Sequence, residues 1–294
     1  MSTRILAACL LSVALALPSQ AQPSSQSGGP GGQSGSGAAQ DVVFRVSPSV
    51  PPAVGEDIQR LFWECLKFLS GDTGLSLTRP VTVYVYGSQR EIYDGLLNEF
   101  GVSEGQARRV AAEAPFFVVG ERVFINAGTP LFLDAPQREA RARVIAHELT
   151  HILHNDLMGG ARPAAQWIKE GFAVREELRA AAHLGFRPAA QTSRERVNLT
   201  AFAFRRQELI PFADLVAGTA WAARAVREGP DRIYAQAFVA VEYLVRTKGQ
   251  PALLAYFRAF LTSEDPDVNF VNAFGLDSDA FQHEFEGYVA SLAP

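Results

Sequence analysis

His147-Glu148-Leu149-Thr150-His151 sets two histidines at i and i+4 around a glutamate, with a third, His154, three positions on. On an α-helix that spacing stacks both imidazoles on one face, where they can share a tetrahedral zinc. Counting about 100° per residue from His147, His151 falls near 40° and His154 near −20°, whereas Ile145, Leu149, Ile152 and Leu153 gather between about 140° and 240°. The histidine stripe is therefore expected to look away from the core. Glu148, at about 100°, stands beside the pair, where a carboxylate can take a proton from a water acidified by a metal.

His154 shares the histidine face but lies about 10 Å from His147 along the axis, and Zn–N bonds of about 2.0–2.1 Å cannot bridge that span. It reads as a group lining or supporting the site. The third ligand must come from another element, and Glu170 is the candidate. It follows His151 by 19 positions, after a loop, "MGGARP", that can turn the chain back into an antiparallel helix. Trp167, Ile168 and Phe172 mark its turn as buried, and a buried carboxylate needs a partner. The alternative is a solvated helix residue, as Glu176 and Glu177 read.

Together, HELTH, Trp167-Ile168-Lys169-Glu170-Gly171-Phe172-Ala173, "YAQAFVAVEYLVRTKG" and "AFGLDSDAFQHEFEGYV" resemble the gluzincin metallopeptidases, especially the small bacterial peptidase MA-like proteins, from about Val81 to Leu292. The resemblance implies zinc held by His147, His151 and Glu170, with Glu148 as general base. Two departures shape the expectation. Thermolysin-like members carry an aspartate four residues after the glutamate ligand to orient a zinc histidine, but Val174 stands there, so that support has to come from elsewhere. The Gly-x-Met-Glu-Asn motif of the related aminopeptidases is missing, which favours endopeptidase action on a peptide or protein substrate. Tyr234 stands where gluzincin aminopeptidases carry an oxyanion-stabilising tyrosine; equally, with Phe238, Val241 and Val245 it can form one core helix face. "RVFINAG" is either the edge strand that aligns an extended peptide or an ordinary sheet strand. The rival to an active enzyme is a catalytically idle relative whose zinc braces a binding module, against which the retained Glu148 argues.

These residues need elements to position them. "VVFRV" is strand-like, and a helix is expected from Glu56 to Leu69, where Ile58, Leu61, Phe62, Cys65, Phe68 and Leu69 recur at helical spacing. "VTVYVYGS" alternates as a strand, two polar helical segments follow, and "FFVVGERVFINAG" reads as a hairpin about Gly120-Glu121. From Gln137 on, helices are expected at Arg138 to Asn155, Pro163 to Ala182, Pro230 to Lys248, Pro251 to Leu261 and Ser278 to Leu292, with the prolines in first turns and Gly249 as a C-terminal cap. The expected fold is a zincin-like α+β domain over 41–294. A lobe with a mostly antiparallel sheet (41–135) and a helical lobe (136–294) would hold the metal in the cleft between them.

The chain has 294 residues, with 27 basic against 31 acidic, so it presents no electrostatic footprint for nucleic acid. Arg4, an apolar run from Ile5 to Leu17 and the small Ser19 and Ala21 read as an export signal cleaved after Ala21, giving a periplasmic or secreted protein. About 13 apolar residues fall short of the roughly 20 of a membrane span, and a lipobox ending at Cys9 would leave too short an apolar run, so neither stable membrane insertion nor a lipid anchor is expected. Residues 22–40, "QPSSQSGGPGGQSGSGAAQ", read as a flexible linker. Cys65, left alone once the signal is removed, reads as a small buried hydrophobe.

Overall fold

The computed structural model describes residues 42–113 and 115–292; the expected export signal and linker lie outside them. Strand β1 (Val42–Val46) leads into helix α1 (Pro52–Thr73), whose buried stripe of Ile58, Leu61, Phe62, Cys65, Leu66 and Leu69 covers the sheet. Gly74, at φ 70°, ends the helix in the left-handed conformation that glycine adopts most easily. Strand β2 (Val81–Tyr86) returns parallel to β1, with Val42 beside Val81 and Val46 beside Val85. Helix α2 (Gln89–Asn98), capped by the Ser88 hydroxyl on the Glu91 amide, and helix α3 (Glu104–Glu113) then cross over to the hairpin of β3 (Phe116–Val119) and β4 (Arg122–Asn126).

The strand order β1-β2-β4-β3 corrects the expected antiparallel sheet: β1/β2 and β2/β4 are parallel, and β3/β4 is antiparallel. A hairpin announces itself through its turn, whereas strands joined by helical crossovers come back in the same direction. The same order places β4 between β2 and β3, so "RVFINAG" is an interior strand and not an edge open to a peptide.

The rest of the described chain is helical: α4 (Pro130–Leu133), α5 (Arg138–Leu157), α6 (Gln166–His183), α7 (Ala189–Arg205), α8 (Gly218–Glu228), α9 (Pro230–Lys248), α10 (Gln250–Ala259), α11 (Pro266–Phe274) and α12 (Ser278–Leu292). Pro230 and Pro251 occupy first turns as expected, and Gly249, at φ 87°, separates α9 from α10. Pro163 instead precedes α6, which starts three residues later than expected. Helix α5 packs against α1, β3, α6 and α10. Every residue from Arg141 to His154 is buried, which corrects the outward-facing histidine stripe. A helix enclosed on all sides has no solvent face, and its polar side chains face other buried polar groups. Cys65 is also buried, its thiol donates to the Ala142 carbonyl at 3.5 Å, and burial pushes its pKa up to about 12, as suits a structural residue. No helix among the described residues is long and apolar enough to cross a membrane.

Candidate metal centre

Two adjacent turns of α5 bring His147 Nε2 and His151 Nε2 to 3.1 Å from each other. From α6, Glu170 Oε2 lies 3.2 Å from His147 Nε2 and 3.6 Å from His151 Nε2. These three buried residues form the metal-compatible group among the described residues. Their atoms fit a zinc-sized cation: a tetrahedral centre with bonds of about 2.0–2.1 Å separates its ligand atoms by about 3.3–3.4 Å. The donor set of two imidazoles and one carboxylate has the chemistry such an ion requires.

The α6 turn can approach because of Gly171. A Cβ there would collide with the Ala237 carbonyl oxygen on α9 and with Val241, so the glycine after the glutamate is what lets α6 and α9 pack closely. That packing also fixes Tyr234, in the second turn of α9, with its ring centroid 6.4 Å from that of His147 and 5.0 Å from that of Trp221 on α8. Tyr234 is thus a core residue and a neighbour of the site at once. Burial and the nearby Glu170 carboxylate hold its phenol well above the ordinary pKa.

Each of the three groups is held from behind. Glu177, two helical turns after Glu170 on α6, accepts from His147 Nδ1 at 3.1 Å and is itself clamped by Arg143 at 2.6 Å and Arg196 of α7 at 3.3 Å. Burial opposes its ionisation, but Arg143 and His147 outweigh that and lower its pKa to about 2. An ionised carboxylate only accepts, so Nδ1 carries the proton and Nε2 can offer its lone pair to a cation. Glu177 is therefore not the solvated residue expected, and it takes the part of the aspartate that Val174 replaces. His151 Nδ1 meets His154 Nε2 at 2.8 Å, and the His154 ring stacks on Phe257 at 5.0 Å, which places His154 behind the site as expected and not among the ligands. Gln166 Nε2 donates to Glu170 Oε1 at 2.7 Å.

Two charges within the site depart from their usual values. Burial penalises the His147 imidazolium, yet Glu170 and Glu177 raise its pKa to about 10, so the metal-free site keeps a proton where a cation would sit. Glu148 is pushed up to about 8 by burial and by Glu170 and Glu177, with His147 opposing. A cation between the ligands would shift both back toward a neutral imidazole and an ionised carboxylate.

Glu177, Gln166, Arg143 and Arg196 were not legible as site residues. Three of them carry a spacing signal in retrospect, since Arg143 is four residues before His147, and Gln166 and Glu177 are four before and seven after Glu170. Arg196 arrives on a separate helix and has no such signal.

A buried HExxH helix packed against a glutamate-bearing helix is thus a site that could hold a metal ion. The chain belongs to the peptidase MA superfamily, whose family model matches residues 63–291. No curated protein matches it.

Proposed function

We propose that the protein is an exported zinc metallopeptidase of the gluzincin type that cleaves within peptide or protein chains. The observation that supports this reading is the close triangle of His147 Nε2, His151 Nε2 and Glu170 Oε2 with Glu148 next to it in the same buried helix. His147, His151 and Glu170 would hold the ion, leaving a fourth position for water or a substrate carbonyl. Zinc there supplies Lewis acidity, lowering the pKa of water toward about 7 and polarising the carbonyl.

The remaining work falls to the chain's own side chains. Glu148 accepts the proton of the attacking water on its carboxylate and passes it to the departing amine. The Tyr234 hydroxyl, kept protonated by burial, donates to the oxygen on which negative charge develops. Glu177 and His154 keep the two imidazoles turned toward the ion. The missing Gly-x-Met-Glu-Asn motif of the related aminopeptidases favours cleavage within chains over cleavage at a free N-terminus.

The test is Glu148→Gln, which keeps size and shape but removes the base. Metal content should stay near one zinc per chain while cleavage of a peptide library, inhibitable by o-phenanthroline in the parent, falls by about 10²–10⁴-fold. Undiminished cleavage with retained zinc would remove Glu148 from the mechanism. A parent that binds zinc but cleaves nothing in the library would favour the catalytically idle, zinc-braced binding module.

A further inference from the structure

Glu170 has two carboxylate oxygens, and they face different chemistry. Oε2 points to the two histidine nitrogens, whereas Oε1 accepts a hydrogen bond from Gln166 Nε2 at 2.7 Å. Gln166 is buried at 6% exposure, and as the first residue of α6 its backbone amide has no partner inside the helix. That amide donates to the Val216 carbonyl at 2.9 Å, tying the residue to the segment that leads into α8. The side chain is therefore fixed at both ends. Its amide must present the NH2 to Glu170, because the alternative orientation would set two acceptor oxygens against each other.

We propose that Gln166 is a positioning residue that holds Glu170 as a one-oxygen metal ligand. A carboxylate free to rotate can chelate through both oxygens, which adds a fifth ligand beside the water and crowds the position that a substrate carbonyl needs. The Gln166 hydrogen bond engages Oε1 and keeps it turned from the ion. An arginine or lysine at this place would also hold Oε1, but would compete with the metal for the carboxylate charge; a neutral amide orients the ligand and leaves its charge for the ion. The spacing suits the task, since residues four apart on a helix lie on one face.

The inference rests on the metal-centre reading above, and the experiment separates the two. Parent, Gln166→Leu and Gln166→Asn are loaded with Co²⁺ in place of zinc and their visible absorption is recorded; the asparagine keeps the amide but is too short to reach Oε1. The parent should show the intense band of a four-coordinate ion, and both variants a band several-fold weaker, as expected for five-coordination. Zinc affinity by chelator competition should fall by about 10-fold. Either variant suffices if the other does not fold. Variants that melt earlier, metal-free and metal-loaded alike, but keep the parent's spectrum and affinity would reduce Gln166 to a structural residue and overturn the proposal. A parent that takes up neither ion would sink the metal-centre reading, and this inference with it.

Discussion

His147 and His151 are the same side chain four residues apart on α5, yet they are held in opposite ways. Behind His147 lies a buried charged cluster, with Glu177 between Arg143 and Arg196. Behind His151 lies a neutral imidazole, His154, stacked on Phe257 with the ring planes 8° apart. Both arrangements turn an Nε2 toward Glu170. They differ in what happens when they are disturbed: a buried ion cluster that loses one member leaves an uncompensated charge, whereas a neutral contact leaves at most an unmade hydrogen bond.

The largest effect is therefore expected from Glu177→Leu. Arg143 would remain buried and Arg196 half-buried without their carboxylate, and the metal-free protein should lose about 3–5 kcal/mol of stability. Zinc affinity should drop about 10–100-fold, because Nδ1 of His147 loses its acceptor. Adding Arg196→Met should restore part of the stability without restoring the affinity, as measured by denaturant unfolding and chelator competition. Affinity that recovers together with stability would show that Glu177 supports the fold and does not orient the histidine.

The next test asks whether partners or burial decide the charge on this side. Glu176 adjoins Glu177 on α6 and is fully buried, with Arg175 on one oxygen and Arg179 3.7 Å from the other. Burial outweighs these cations, and with Asp72 nearby its pKa rises from 4.5 to about 7. A carboxyl whose folded pKa is raised favours folding below the unfolded value near 4.5, and that advantage disappears as pH climbs through about 7. Parent stability relative to Glu176→Gln should fall across this window, by at most about 1.4 kcal/mol per pH unit. Parallel stability curves from pH 4 to 8 would mean that Arg175 and Arg179 keep Glu176 ionised throughout, as Arg143 keeps Glu177.

How much of this was legible in the sequence depends on whether the signal was local. HELTH, Glu170 and the bounds of α9 and α12 sit in motifs or beside Pro and Gly punctuation, and the elements appear where the pattern places them. The sheet direction was misread because parallel pairing is set by crossovers such as α1, which no turn motif announces. Helix α7 carries little apolar periodicity in the sequence, because few of its residues are buried: Thr192, Thr200, Ala201 and Ala203. Glu177 reads as a surface residue in the sequence because its partner Arg196 comes from that weakly patterned helix, and a buried charge cannot be told from a solvated one until its partner is placed.

The neutral side should give the smallest response, to His154→Leu. Burial, with His151 and Lys169 adding to it, holds the His154 pKa well below the usual value, so the substitution removes no charge. Its Nδ1 is buried and has no hydrogen-bond partner among the described residues, so one unfavourable group leaves with the ring. Against that, His151 Nδ1 loses its hydrogen-bond partner at 2.8 Å and Phe257 loses the stacked face. These terms nearly offset each other, and the net stability change should stay below about 1 kcal/mol. Zinc affinity should still fall by about 10-fold, because an imidazole no longer held from behind must be ordered by the metal itself. The two readouts should separate here, with affinity lost and stability kept, while Glu177→Leu loses both. A stability loss matching that of Glu177→Leu would show that charge is not what distinguishes the two sides, and unchanged zinc affinity would mean that His151 is oriented by its helix alone.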